Sequence, residues 1–538
     1  MEKRAIIAIV VSMLILIVYQ FFFAPLQQVG TKKDKKPAVI KEEFREKEQE
    51  EVAKTTEKIP AVQKTKPFDL KPLLREEKQG KEITVETDLL KIVLTNKGGR
   101  IKGIYMKKYR DKKGKTFNLV NRGIYGELPL FLKLQEPSLT KIANEAVYNV
   151  FSDTLVLDSS RPTGNISMTY DSPNGISISK NLTFYNDYYH IDVEIDIKGA
   201  NEYTVFWGPG LNTSKEKEDS YSYDGAVALI NDKKKDYAPK KISSTVMETG
   251  DIKWVALQNK YFLSALIPKA PPSFALLEKD QASNISVGIN LKNFKGGEED
   301  RFKLYVGPKE DHRLKAYGIG LEKIIDYGWF SFLSLPLLVA LRFLNGLIGN
   351  YGFAIIILTI LIKIVFYPLT EKSFKSMQAM QKIQPKMKAL QEIYKNDKQR
   401  LNQEIMSLYK QNKVNPAGGC LPMLIQVPIF IALYEVLLYS IDVRQTPFIL
   451  WINDLSAKDP YYVFPILMGI SMYVQQKMTP TAGDPRYAQI MNFMPIIFTF
   501  MFLNFPVGLV IYWFVNNLLT IFQQYIIKTR ASSQKEKA

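Results

Sequence analysis

Apolar and polar positions divide the chain into three regimes. The first opens with an apolar run from Ala5 to Ala24, preceded by Met1-Glu2-Lys3-Arg4. It is about 20 residues long, enough to cross a bilayer, and its exit through Phe22-Phe23-Ala24-Pro25-Leu26 offers no small-x-small cleavage site. The pattern predicts an uncleaved signal-anchor helix over 1–25. Residues 26–80 follow, dense in charge (Lys32-Lys33-Asp34-Lys35-Lys36, Lys41-Glu42-Glu43) and poor in side chains that could offset the entropy of ordering. They predict a charged, flexible linker.

The second regime covers 81–310. Short runs alternate with period two, as in Ile83-Thr84-Val85, Ile191-Asp192-Val193-Glu194-Ile195 and Phe302-Lys303-Leu304-Tyr305-Val306. Turn signals such as Asn96-Lys97-Gly98-Gly99 and Ser172-Pro173-Asn174-Gly175 separate them. Alternation between turns predicts a large all-β domain, read as a sandwich.

The third regime is helical. Residues 311–349 predict a connector and an interfacial amphipathic helix, whose apolar stretch carries Pro336, Arg342 and Asn345. Residues 350–528 predict a membrane core of five spans near 351–369, 421–440, 461–476, 489–506 and 507–527, with Pro506-Val507-Gly508 dividing the last two. Between the first two spans, 371–415 predicts a basic helical hairpin: Met380, Ile383, Met387 and Leu390 stripe one helix, Asn396-Asp397 turn and cap, and Leu401, Ile405 and Leu408 stripe the other. Residues 529–538 predict a tail. The fold class is therefore a polytopic α-helical membrane core, with an N-terminal anchor and a β-domain on one side.

Charge sets the orientation. Segment 371–419 carries ten Lys/Arg against four Asp/Glu, whereas 441–460 carries two against three. Short basic loops stay inside, so the hairpin, the loop 477–488 and both termini are expected in the cytoplasm, with the β-domain outside. The lysines at 32–36 oppose this, but long exported domains translocate largely regardless of charge. The net charge of +18 fits cytoplasmic loops and anionic lipids rather than specific nucleic-acid binding. Cys420 is the single cysteine, so the β-domain must rest on its packed core alone.

Candidate chemistry centres on Lys363 in Leu361-Ile362-Lys363-Ile364-Val365, a cation within a spanning segment. It sits about four or five residues from the inner end, so snorkelling to the headgroups is the plain alternative to a wet cavity. Thr359 lies one turn earlier on the same face. Gln426 interrupts the second span. In the last helix Tyr512, Asn516, Thr520 and Gln523 share a face at spacings of four, four and three, with Asn517 adjacent. Together they suggest a hydrophilic groove; singly, each could serve helix–helix hydrogen bonding. Met491, Phe493, Met494, Phe498, Phe500, Met501, Phe502 and Phe505 crowd the fourth span, as suits either variable apolar partners or ordinary packing. His190 and His312 are not at metal spacing, and no P-loop, G-x-S-x-G or H-E-x-x-H motif occurs. No enzyme, metal or cofactor is expected.

Ordered motifs carry a resemblance. Tyr367-Pro368-Leu369-Thr370, Lys413-Val414-Asn415-Pro416-Ala417-Gly418-Gly419-Cys420, Leu424-Ile425-Gln426-Val427-Pro428, Arg444-Gln445-Thr446-Pro447-Phe448, Leu450-Trp451-Ile452-Asn453-Asp454-Leu455-Ser456 and Phe505-Pro506-Val507-Gly508-Leu509-Val510-Ile511-Tyr512-Trp513 closely resemble the core of the YidC membrane insertase family. The anchor and β-domain resemble its Gram-negative form, in which the periplasmic domain is a β-supersandwich. The resemblance implies an inner-membrane insertase and chaperone for nascent membrane proteins that works without nucleotide hydrolysis, alone or beside the Sec translocon. The basic hairpin itself reads either as a docking arm for nascent chain, ribosome or targeting factor or as a plain positive-inside anchor. Lys363 would be the groove cation, with Thr359, Gln426, Trp513 and Asn516 in or near the groove. Met491, Met494, Phe498, Met501 and Phe502 are candidates for the apolar slide. The family usually has arginine at the groove position; lysine keeps the charge but loses the fork of donors.

Two other classes compete. An anion transporter would use the buried cation, but no paired half-repeats with broken helices are evident. A tethered sugar-active sandwich would use Trp207 or Trp254 to stack on a ring, which core packing of both residues would rule out.

Overall fold

Alternating Val, Ile and Leu between Gly- and Asn-containing turns yields strands wherever one face meets a core, and the computed structural model carries strands from Glu82 to Pro308. It describes residues 80–536 apart from 111–113, 123–126, 173–174, 213–223, 243, 282, 293–300, 413, 415–420 and 480–484. The predicted anchor 1–25, the linker 26–80 save Gly80, and the motif 413–420 save Val414 lie outside the described residues.

The strands form three sheets. The largest has nine strands and runs from Lys233–Tyr237 through Ile252–Gln258, Arg301–Pro308 and His190–Lys198 to Asn149–Val150. A five-stranded sheet includes Phe274–Lys279, Ile285–Lys292 and Glu202–Trp207. The third, also five-stranded, holds Glu82–Glu86, Leu90–Thr95 and Arg100–Arg110. The expected sandwich thus carries an additional sheet, and Glu82–Glu86 pairs in parallel with Thr154–Val156. Alternation reports which face is buried, not which strand is the neighbour. Ile83, Val85, Ile92, Leu94 and Ile101 join the same core as Val193, Leu266 and Leu304. Trp207 and Trp254 are both fully buried in it. Neither can stack on a sugar, which removes that reading.

Among the described residues the helices are α1 (Pro137–Glu145), α2 (Asp311–Lys315), α3 (Ser331–Ile348), α4 (Tyr351–Val365), α5 (Tyr367–Ile393), α6 (Lys398–Gln411), α7 (Leu421–Tyr439), α8 (Val463–Met478), α9 (Pro485–Phe502) and α10 (Val507–Glu536). Five of these, α4 and α7–α10, fall on the predicted spans with altered bounds. The first expected span, 351–369, ends early. Pro368 has no N–H to offer Ile364 and suits the first turn of a new helix, so the chain bends by 64° between α4 and α5. The last helix continues past 528, because Lys, Arg, Ala, Gln and Glu are helix formers, and the tail expected at 529–538 is helical to Glu536. Among the described residues, α3 is the one helix long and apolar enough by itself to cross a membrane, and α4 with α5 could do so as a bent pair. Helix α3, read from the sequence as interfacial with a membrane span as the alternative, turns Phe332, Val339, Phe343 and Leu347 outward.

The hairpin forms as patterned. Asp397 caps α6 by accepting from the Arg400 N–H at 3.0 Å, and Met380, Ile383 and Val414 pack with Leu408 and Tyr409.

Candidate polar site between helices

Helix α4 is almost wholly aliphatic. Its start is fixed by Asn350, whose side chain accepts from the Gly352 and Phe353 N–H groups at 2.8 and 3.2 Å. Lys363 stands in its last turn, and its Nζ donates to Thr520 Oγ1 on α10 at 2.8 Å. Thr520 in turn donates to the Asn516 carbonyl at 2.7 Å, leaving its lone pairs toward the ammonium. Lys363 is held inside the bundle by a neutral hydroxyl; among the described residues it forms no ion pair.

Tyr512, Asn516, Thr520 and Gln523 of α10 are all buried. Gln426 on α7 hydrogen-bonds the Tyr512 hydroxyl through its Nε2. The structure therefore sets two polar contacts on one helix, Lys363 with Thr520 and Gln426 with Tyr512. Thr359 is buried on the Lys363 helix but donates to its own Ile355 carbonyl at 2.7 Å, so it lines the region without binding the cation. Trp513 belongs to an aromatic group instead: its ring centroid lies 4.8 Å from Phe430, 5.6 Å from Phe502 and 6.2 Å from Phe498.

The slide candidates divide. Phe502 is buried and Phe498 half-buried, both against Trp513. Met494 and Met501 are half-buried, and the Met491 side chain lies outside the described residues. The outward face of α9 is instead Phe493, Ile496, Ile497 and Phe500, and α8 beside it presents Ile466, Ile470 and Val474.

Two polar contacts were not anticipated. Asn517 Nδ2 donates to Ser471 Oγ at 3.1 Å and Gln524 Nε2 to Thr479 Oγ1 at 3.0 Å, joining α10 to α8. Their spacing of seven on α10 was the available signal. Arg342 on α3 pairs with Asp442 at 2.7 Å, which explains a cation in that apolar run. Among the described residues no group of acids, His or Cys could hold a metal ion. Among the described residues the site offers the Lys363 cation beside neutral donors and acceptors, an arrangement that can attract and hydrate a polar or acidic group.

Comparison with known proteins follows the same division. A family model described as the YidC periplasmic domain matches residues 82–340, and one described as 60Kd inner membrane protein matches 343–535. The membrane protein insertase YidC of Syntrophus aciditrophicus (strain SB) is 42% identical over 564 residues, covering 99% of this chain and 100% of that protein. That of Geobacter metallireducens is 38% identical over 550 residues, covering 99% and 100%. Among solved structures the chain is similar to an active YidC insertase with its first transmembrane domain resolved, at 22% identity and a TM-score of 0.36, over 84% of this chain and 93% of that one.

Proposed function

Because the chain belongs to the YidC family of membrane protein insertases, we propose that it inserts nascent membrane proteins through a hydrophilic groove whose working cation is Lys363. It is an inner-membrane protein with a periplasmic domain, and it is not an enzyme. The observation that carries the groove reading is the Lys363–Thr520 contact at 2.8 Å, a cation with a neutral partner and free electrostatic capacity.

The physics is direct. An acidic residue entering the bilayer centre costs roughly 2.5–3.5 kcal/mol on insertion scales. A fixed ammonium lowers that cost while the substrate's polar segment is held, and Gln426, Asn516 and Thr359 supply a polar wall. Lysine acts here as a point charge, so it attracts without the bidentate grip that would slow release. Apolar segments then move into lipid along the outward faces of α8 and α9, with Met494 and Met501 at their inner margin. No nucleotide enters this scheme; the energy comes from partitioning apolar segments into lipid.

The bundle's two ends support the orientation. The segment 441–462 touches the β-domain, which supports a periplasmic setting for that end of the helices. Phe374 and Met377 of α5 pack with Ile527 of α10 at the other end. The hairpin and both termini then lie in the cytoplasm, where basic side chains meet anionic lipids and where ribosome, targeting factors or the Sec translocon would dock.

The test is complementation. The protein expressed in an insertase-depleted bacterium should restore insertion of a small one- or two-span substrate. Folded protein in the membrane without restored insertion would overturn the reading.

A further inference from the structure

The segment 441–462 between α7 and α8 seats on the starts of both helices that carry the polar pair. The Val507 N–H donates to the Ala457 carbonyl at 2.7 Å and the Gly508 N–H to the Leu455 carbonyl at 3.0 Å, so this loop satisfies the first-turn donors of α10. Phe448 packs on the start of α4, where a Cβ at Gly352 would fall 2.0 Å from its ring, and Asn350 Nδ2 donates to the Phe448 carbonyl at 3.1 Å. Leu455, Ile452 and Val443 are buried beneath.

The same loop meets the β-domain through Ile441, which is buried in that domain's core, and through a polar grip on one carbonyl. Arg444 Nη2 and Gln445 Nε2 both donate to the Arg110 carbonyl, at 3.1 and 2.9 Å, where the strand Arg100–Arg110 ends. The Arg444 guanidinium also lies 5.5 Å from the Tyr261 ring centroid and 5.7 Å from that of Phe262. Gln445 holds a left-handed backbone (φ 56°), and its N–H donates to Asp454 Oδ1 at 3.0 Å, which also accepts from Ser456. A continuous chain of contacts therefore runs from Arg110 through Arg444 and Gln445 to Asp454, Leu455 and the first turn of α10.

We propose that 441–462 is an outer cap over the polar interior and that Arg444 and Gln445 are positioning residues, keying the cap to the β-domain. The inference rests on the proposed groove and adds that this segment closes it on the periplasmic side. The β-domain then acts as a fixed abutment: with the Arg110 carbonyl engaged the cap stays seated, and without it the cap opens as a local unit while the bundle stays folded.

The experiment uses the full chain in proteoliposomes with Cys420→Ser and a reporter cysteine, Val510→Cys, one turn into α10 and fully buried. A membrane-impermeant maleimide is applied from the β-domain side. Slow labelling in this parent and at least about tenfold faster labelling with Arg444→Ala plus Gln445→Ala is the expected result, the tenfold marking about 1.4 kcal/mol of lost closure. Arg444→Lys, which keeps the charge over the rings, should label at an intermediate rate. Slow labelling unchanged by the double substitution overturns the keying of the cap and leaves the proposed function standing. Fast labelling in the parent shows that the periplasmic side is open, and overturns the cap itself as well as its keying. If the double variant fails to fold, Gln445→Ala alone carries the test: it removes one of two donors to a single carbonyl and should speed labelling about threefold.

Discussion

Lys363 and Thr520 meet 157 positions apart in sequence, the ammonium donating to the hydroxyl at 2.8 Å across the α4–α10 contact. The contact orients the cation, because Thr520 is itself turned by its bond to the Asn516 carbonyl. Thr520→Val keeps the shape and removes the acceptor. Insertion of an acidic substrate should fall about two- to threefold, the effect of about 0.5 kcal/mol, well short of removing the cation. In vivo insertion kinetics at matched expression measure it.

In the β-domain a buried lysine has a structural part. Lys180 is fully buried, and its Nζ donates to the carbonyls of Gly98, Leu130 and Gly99 at 2.8, 3.1 and 3.3 Å. These lie in turns whose backbones are left-handed at all three residues, so one side chain fastens two loops to the large sheet. Burial and the nearby Arg100 hold its pKa well below the ordinary lysine range. Lys180→Met fills the volume but strands three carbonyls. The expected cost is about 3 kcal/mol, read as a lower thermal unfolding midpoint of the full chain.

His190 should give the domain an acid-sensitive step. Its Nδ1 lies 2.7 Å from the Tyr317 hydroxyl, its Nε2 is 3.8 Å from Asp192, and Tyr185 and Tyr188 flank the ring. Burial, then the Lys303 ammonium, pull the imidazole down to about 4, against the opposing pull of Asp192. The unfolded chain binds this proton near pH 6.5 and the folded one does not. Stability from this group is therefore complete above about pH 6.5 and is lost as pH falls toward 4. Unfolding midpoints of the parent should drop across that window more steeply than those of His190→Gln; parallel curves would remove His190 from the account.

Much of this was legible in the sequence where one element decides its own pattern. The strand alternation in 81–310, the hairpin with its Asp397 cap, and the polar face of α10 follow from period and spacing. What escaped depends on distant partners. Alternation could not tell that Glu82–Glu86 would pair with Thr154–Val156, nor that Phe498 and Phe502 would turn toward Trp513 while Phe493 and Phe500 face outward. The bend after Val365 was visible in Pro368, yet hydropathy carried the predicted span past it. Arg444 and Gln445 stood in a recognised motif, but their target, a backbone carbonyl at Arg110, leaves no trace in composition.

The central claim is that the cation at Lys363 does the work of the groove. Its most direct test is substrate insertion in an insertase-depleted bacterium carrying the parent, Lys363→Arg, Lys363→Ala or Lys363→Glu at equal membrane levels. Parent and Arg should insert, while Ala and Glu should fall by at least about tenfold, a loss of about 1.4 kcal/mol or more. Insertion by Lys363→Ala at the parent's rate would contradict the claim and reduce Lys363 to a side chain reaching for the headgroups.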